Sequence, residues 1–262
     1  REITRENLDA LVENSVEENR RLEYKREYNS SDQAKRKILS ELSAFANTDG
    51  GDILIGVTEE DGLAHSLSGV PIDSIDRLKL SIQQLADSCL DPKIIDLQMT
   101  SIEISENKAV LAIRVPLSFS APHALDFQGK HRFYRRTSSG VDQMDTEDLR
   151  IAFGKRTASI EAIDTWIESR NSLIRGRTTI VNLNKWPVIA VRMIPLGFPE
   201  TAAQLNFQDI QDGHMGWWNL GNNGYSGPQW NVDGPFTSTH YSGAYSTGYT
   251  QYFRQGNVEV VD

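Results

Sequence analysis

Cysteine is almost missing from this chain: Cys89 stands alone among 262 residues, which excludes a disulfide framework within the chain. The five histidines are scattered, so no Cys/His cluster has the spacing of a structural zinc site. No apolar run is long enough to span a bilayer, and the opening REITRENLDALVEN lacks a signal-peptide core, so the expected compartment is the cytoplasm with no membrane partner. No Gly-x-x-x-x-Gly-Lys-Ser/Thr loop occurs, which disfavours ATP hydrolysis. The start at arginine points to a trimmed chain or a missing leader, and the ending EVVD leaves that side open too. Positive charge is also in deficit, 27 Lys and Arg against 36 Asp and Glu, and a net charge of -9 argues against a surface coated for nucleic acid.

Local charge reads differently. Between residues 20 and 37, Arg20, Arg21, Lys25, Arg26, Lys35, Arg36 and Lys37 outnumber Glu23, Glu27 and Asp32, and Lys130, His131, Arg132, Arg135 and Arg136 form a second basic cluster. Either cluster alone is a solvated helix or hairpin face; together, beside a set of acids, they become candidate phosphate contacts. Those acids begin with Glu18 and Glu23. In a strand Leu22 and Tyr24 alternate with Glu23 and Lys25, so the apolar pair faces the core while the carboxylate and ammonium share the other face. The acid-x-lysine order of Glu23-Tyr24-Lys25 suits metal-dependent phosphodiester chemistry, in which a metal lowers the pKa of the attacking water and a lysine orients it. Lys25 serves equally well as a phosphate clamp. Glu59 follows the next strand, and three carboxylates brought together by neighbouring strands make a hard, oxygen-rich divalent site.

The predicted elements alternate irregularly between helix and strand, as in α+β folds. A short helix over 4–14 precedes a strand near 21–26. Asp32 is placed as the N-cap of a helix whose Ala34, Ile38, Leu42 and Phe45 share a core-facing stripe. Asn47 and Gly50-Gly51 end it in left-handed backbone, and Asp52 to Val57 form a buried strand closed by the turn EEDG. FANTDGG itself admits two readings, a helix C-cap with a tight turn or a nest of backbone N–H groups for a phosphate. A helix from Asp73 carries Ile75, Leu78, Ile82, Leu85 and Cys89, making Cys89 a core position rather than a nucleophile. Strands at 97–105 and 108–115 flank a turn at Glu106-Asn107, and 131–136 is a further strand before a helix from Thr146.

The stretch from Glu18 to Val57 and beyond resembles the AlbA_2 domain of the Schlafen superfamily. Its pattern is Glu, four residues, Glu-Phe-Lys, a helix, Ala-Phe-Ala-Asn-Thr-x-Gly-Gly and a strand ending Gly-Val-Asp-Asp. Here the matching residues are Glu18, Glu23-Tyr24-Lys25, Ala44 through Thr48, Gly50-Gly51 and Gly56-Val57-Thr58-Glu59. The resemblance covers roughly residues 15–150 and implies a mixed sheet with flanking helices. In members that cleave tRNA-like RNA the two leading glutamates and the last aspartate are the catalytic acids. The resemblance therefore implies Glu18, Glu23 and Glu59 as ligands of Mg²⁺ or Mn²⁺, with Lys25 beside them. Glu59 replaces the usual aspartate and lengthens the arm by one methylene. Phosphates would be met by Arg20, Arg21, Arg26, Lys35, Lys130, Arg132, Arg135 and Arg136. Vertebrate Schlafens enclose an RNA groove with two related lobes; no internal repeat occurs here, so a comparable groove implies a homodimer.

From about Thr157 the composition changes. The expected organisation is residues 1–156 as the Schlafen-like domain, 157–185 as a helical connector and 186–262 as a β-rich, Gly- and aromatic-rich domain. PVIAVRMIP reads as a buried strand, and the aromatics as the core of a small β domain or, alternatively, a platform for unpaired bases. Trp217 and Trp218 cannot both face inward on one strand, which makes one of them a candidate partner contact. The leading functional expectation is a metal-dependent endoribonuclease acting on tRNA or other structured RNA, in stress or anti-phage defence. The alternatives are a non-catalytic regulator that binds RNA or DNA, and a partner-binding scaffold.

Overall fold

The computed structural model describes residues 3–138, 140–183, 187–195, 198, 229–240 and 246–262. The chain divides into two units, residues 1–156 and 157–262.

In the first unit, α1 (Arg5–Glu13) starts at Thr4, whose side chain caps the Asn7 N–H while Asn7 reaches back to the Thr4 N–H. Then follow β1 (Leu22–Lys25), α2 (Asp32–Ala46), β2 (Gly51–Ile55), the hairpin β3 (Val57–Glu60) and β4 (Leu63–Leu67), β5 (Val70–Pro71) and α3 (Ile72–Cys89). Next come β6 (Leu90–Asp91), β7 (Gln98–Ser105), β8 (Lys108–Val115), β9 (Ala124–Phe127), β10 (Lys130–Thr137) and β11 (Gly140–Gln143). The helix α4 (Thr146–Arg175) runs on into the second unit. The helix expected from Thr146 and the one expected after Thr157 are therefore one continuous element. Ser31, not Asp32, caps α2, its Oγ accepting from the Ala34 N–H at 3.3 Å.

β1 and β2 pair in parallel with α2 as the crossover between them, and the sheet continues through β8, which also pairs with β5 and β7. A second sheet runs β11-β10-β9-β6. Helix α2 lies between them. Its Ile38, Leu39, Leu42 and Phe45 join Ile53, Ile55, Leu111 and Ile113 of the first sheet and Leu125 and Tyr134 of the second in one buried cluster. The opposite face of the first sheet is covered too: Tyr24, Leu54, Val110 and Ala112 pack with Leu8 of α1 and with Val57 and Ala64 of the β3–β4 hairpin. A sheet covered on both faces has no solvent side for polar residues of a strand. That decides the fate of Glu23 and Lys25.

The strand expected over Asp52 to Val57 breaks at Gly56, which has φ +104 and whose absent Cβ would lie 3.0 Å from the Cα of Gly69. Beyond the break, Asp61 (φ 52) and Gly62 (φ 79) form the two-residue turn joining β3 to β4, the geometry that suits a twisted hairpin.

The second unit has the antiparallel sheet β12 (Ala190–Met193), β16 (Val258–Val261), β15 (Ser246–Tyr252), β14 (Pro235–His240), β13 (Gln229–Trp230), in that order. Glu259 is fully buried, and Arg170 and Arg192 reach it at 2.7 and 2.8 Å while the Tyr249 hydroxyl donates to it at 2.7 Å. The aromatics expected to build a core do so at Phe236, Tyr249, Tyr252 and Phe253, and Trp166 packs edge-on against Phe253 and Phe198. β12 is not a buried strand as expected: it is an edge of the sheet, and Ile189, Val191 and Met193 are 73%, 50% and 46% exposed. Trp217 and Trp218 fall outside the described residues. No described helix is long and apolar enough to cross a membrane.

Candidate functional site

Glu23 and Lys25 point from β1 toward α2 and are nearly sealed beneath it, their side chains 13% and 15% exposed. They belong to a buried row of alternating charge. Glu41 of α2 accepts from Lys25 Nζ at 2.8 Å, Lys25 also pairs with Glu23, and Glu23 Oε2 accepts from Arg136 of β10 at 2.8 Å. Arg136 ends the row: it lies over the Phe45 ring at 4.6 Å and its second nitrogen donates to the Asn19 carbonyl at 2.7 Å. The row joins both sheets through the helix between them. Each charge is desolvated and compensated by a neighbour, which is the condition for burying it at all.

The electrostatics follow from burial and pairing. Burial pushes the Glu41 carboxyl up to about 7, with Lys25 pulling against it and Glu23 adding to it. Glu23 feels the same burial, but Lys25 and Arg136 outweigh it and hold the carboxyl below its ordinary range. Lys25 is raised, because burial, which would lower it, is outdone by Glu41 and Glu23. The second carboxylate oxygen of Glu41 has no hydrogen-bond partner.

Glu18 and Glu59 are tied to one place, the β3–β4 turn. Glu18 donates its N–H to the Gly62 carbonyl at 2.8 Å, and Glu59 Oε2 accepts from the Gly62 N–H at 2.7 Å. The Glu18 carboxylate accepts from the Tyr24 N–H at 2.6 Å. Its pKa is raised, first by burial and further by the charges of Glu23 and Glu59, so the field of each acid reaches it. Glu18 and Glu59 thus hold the same turn, and Glu18 also reaches β1 beside Glu23 through the Tyr24 N–H. The three acids do not form a cation cage as they stand: among the described residues no group of three or more His, Cys, Asp or Glu side chains has metal-binding spacing. The donor set explains why, since both oxygens of Glu23 are taken by Lys25 and Arg136 and one oxygen of each other acid is held by backbone N–H. Mg²⁺ or Mn²⁺ does not fit this arrangement of side chains.

The basic residues separate into groups. Arg136 is 4% exposed and consumed inside the protein, so it is not a phosphate contact; period-two alternation put it on the face of β10 that α2 covers. Arg135 is engaged by Asp148 at 2.5 Å, Arg20 by Asp49 at 2.7 Å and Lys35 by Asp32 at 3.7 Å. Arg21, Arg26 and Lys130 are exposed, Arg132 is half-buried, and none of these has an acidic partner among the described residues.

Each part of the Asn-Thr-x-Gly-Gly run makes internal contacts. Asn47 caps α2 in right-handed backbone, not left-handed as expected. Its Nδ2 donates to the carbonyls of Tyr134 and His123 at 2.9 and 3.1 Å and its Oδ1 accepts from the His123 N–H at 2.6 Å. Thr48 Oγ1 accepts from the Arg136 N–H at 2.9 Å. Gly50 has φ +67, and a Cβ there would sit 2.7 Å from the Leu117 nitrogen. The motif is a latch between α2 and β10, and the phosphate-nest reading loses its basis. Glu41 is the residue that sequence reasoning missed here, and Asn47 was read only as the end of the helix. The signal for Glu41 was an acid among the apolar residues of the C-terminal half of α2.

An α+β domain built on a β-α-β unit with a latched Asn-Thr-x-Gly-Gly turn is thus in place. Residues 18–145 are a Schlafen AlbA_2 domain: the family model described as Schlafen, AlbA_2 matches them. Among solved structures the chain is similar to the DIP2311 protein of Corynebacterium diphtheriae, with 19% identity over 54% of this chain and 27% of that one, TM-score 0.35. It is also similar to the N-terminal domain of a putative ATP-dependent DNA helicase RecG-related protein of Nitrosomonas europaea, with 21% identity over 53% of this chain and 90% of that domain, TM-score 0.37. Among curated proteins no sequence matches this chain. A Schlafen AlbA_2 domain suggests a nucleic-acid-related function for residues 18–145.

Proposed function

We propose that the chain binds nucleic acid without cutting it, in the manner of a regulator. The observation that carries this reading is the contrast between the two charge sets of the first unit. Glu23, the acid most needed for metal chemistry, is neutralised by Lys25 and Arg136, while Arg21, Arg26, Lys130 and Arg132 carry no acidic partner among the described residues. Cations without an acidic partner are available to backbone phosphates even on a protein of net charge -9. RNA and DNA are both admitted by this chemistry.

A second reading is the metal-dependent endoribonuclease acting on tRNA or other structured RNA, with a role in stress or anti-phage defence. What favours it is that Glu18 feels the charges of both Glu23 and Glu59. Loading Mg²⁺ or Mn²⁺ on this reading requires Glu23 to be released from Lys25 or Arg136. A homodimer would supply the enclosing groove, and light scattering at high concentration tests it; a strict monomer removes that part of the reading.

Incubation with total tRNA, and separately with duplex DNA, in the presence and absence of Mn²⁺ tests both. Retention of nucleic acid with no metal-dependent fragments supports binding. Fragments that require Mn²⁺ and vanish in Glu59→Gln would overturn it in favour of the nuclease. Glu59→Gln is preferred over Glu23→Ala because Glu59 is exposed, whereas loss of Glu23 leaves two nearly buried cations short of an acid.

A further inference from the structure

Where the tip of the β9–β10 hairpin meets α2, a shallow open cleft of about 30 Å³ is lined by Arg36, Lys130 and Arg132 together with Leu125, Phe127 and Tyr134. We propose that this cleft is a phosphate-ester subsite, seating one backbone phosphate of a bound nucleic-acid strand. The proposal rests on the binding role argued above and locates a specific contact within it.

The register of the hairpin creates the site. Lys130 stands opposite Phe127 and Arg132 opposite Leu125, so these four residues share one face, while His131 and Asp126 pair on the other. The acid of the hairpin is thereby kept off the cationic face. Gln128 continues the wall, and its Nε2 donates to Asp32 of α2 at 3.0 Å, which ties the start of the helix to the hairpin. Asp32 is further occupied by Lys35 at 3.7 Å. Helix α2 carries Arg36 on the cleft side, and Arg36, Lys130 and Arg132 make no ion pair among the described residues. Three cations with no carboxylate in the lining favour an anion there. Apolar walls from Leu125 and Phe127 keep part of it from water, which strengthens attraction to a charged group.

The chemistry of the donors narrows the ligand. Two guanidinium groups offer planar pairs of N–H donors suited to phosphate oxygens, and Lys130 adds a point charge. The enclosed space is about that of one water, so the cleft is a seat for the oxygens of a single phosphate and not a pocket for a whole nucleotide. Arg132 and Arg136 are four residues apart on β10, roughly 13 Å along the strand, so the subsite is separate from the buried charge row. Free mononucleotides carry the same phosphate ester as a polynucleotide, and the test separates the two sources.

The experiment is fluorescence anisotropy of a labelled single-stranded RNA, with wild type, an Arg36→Gln/Arg132→Gln double variant and a Lys130→Gln variant, across a salt titration. AMP is titrated in parallel by calorimetry. Losing the one phosphate contact lowers the slope of log K against log salt by about 0.7 and weakens binding about 5-fold at about 0.1 M salt. Lys130→Gln, an exposed change at the hairpin tip that removes no internal contact, shows a smaller change in the same direction and guards against misfolding of the double variant. RNA binding sensitive to these substitutions supports the subsite with a polynucleotide as its source. AMP binding sensitive to them, with no RNA binding, retains the subsite and overturns the nucleic-acid role. RNA binding unchanged in slope and strength in all variants, or no substitution-sensitive ligand at all, overturns the subsite.

Discussion

Glu41→Gln tests the buried charge row by its pH dependence. Glu41 is 2% exposed, and its carboxyl is raised from 4.5 to about 7. Because the folded state holds this proton more tightly than the unfolded chain, the ionised form is a burden that appears as pH rises from about 4.5 and is complete above about 7. At about 1.4 kcal/mol for each pH unit, the burden reaches about 3 kcal/mol, or about 300-fold in an opening equilibrium. Glutamine resembles the protonated acid in shape and cannot ionise. Wild type and variant are therefore of similar stability near pH 5, and the variant is the more stable by about 3 kcal/mol near pH 8. Glu23 does not mask the effect. Its lowered carboxyl contributes stability that is present above its unfolded value and lost only as pH falls through the lower folded one, outside this window. Tryptophan fluorescence is the wrong probe, since Trp166, Trp186, Trp217, Trp218 and Trp230 all belong to the second unit. Hydrogen exchange of peptides from β2 and β8, compared between the two proteins at each pH, reads the first unit directly and cancels the intrinsic pH dependence of exchange. Identical wild-type to variant ratios at both pH values would refute a strained, desolvated carboxylate.

The latch is expected to be sensitive to the type of change as well as its size. Asn47→Ala should cost about 3 kcal/mol by urea unfolding followed by circular dichroism, and Asn47→Asp should cost more, because it turns a donor to two carbonyls into an acceptor facing them. Gly50→Ala and Gly129→Ala compare similar backbone angles, φ +67 and +71, in different surroundings. Gly129 has open space, so its substitution should cost only the conformational penalty of about 1 kcal/mol, while Gly50 also meets the 115–117 backbone and should cost at least twice as much in the same unfolding assay. In the second unit, Glu259→Gln deprives Arg170 and Arg192 of their common acid and should cost about 3–5 kcal/mol, read as a lower thermal midpoint by tryptophan fluorescence. Burial presses the Glu259 carboxyl upward but its arginine and tyrosine partners hold it low, so its stabilisation should fade only as pH drops below about 4.5.

Much of the first unit was legible because its signals are local. The stripe of Ile38, Leu42 and Phe45 announces α2, and the Glu106-Asn107 turn joins the β7–β8 hairpin as expected. The two-residue strands β5 and β6 were not legible, since two residues carry no period and exist only through partners distant in sequence. The site divides the same way. Alternation correctly set Glu23 and Lys25 on one face of β1, but their surroundings depend on α2 covering that face, so side chains expected near solvent became members of a buried row.

From residue types and their spacing alone came the Schlafen AlbA_2 resemblance and the α+β class, because each rests on a local pattern or on strands joined by one crossover helix. Which charges are free and which are spent was decided by tertiary structure. Arg132 and Arg136 sit on the same strand face, yet one lines an open cleft and the other is sealed against Phe45 and Glu23. The difference is how far α2 extends over β10, and desolvation by a packed helix is a property of the assembled layers that no stretch of sequence carries by itself.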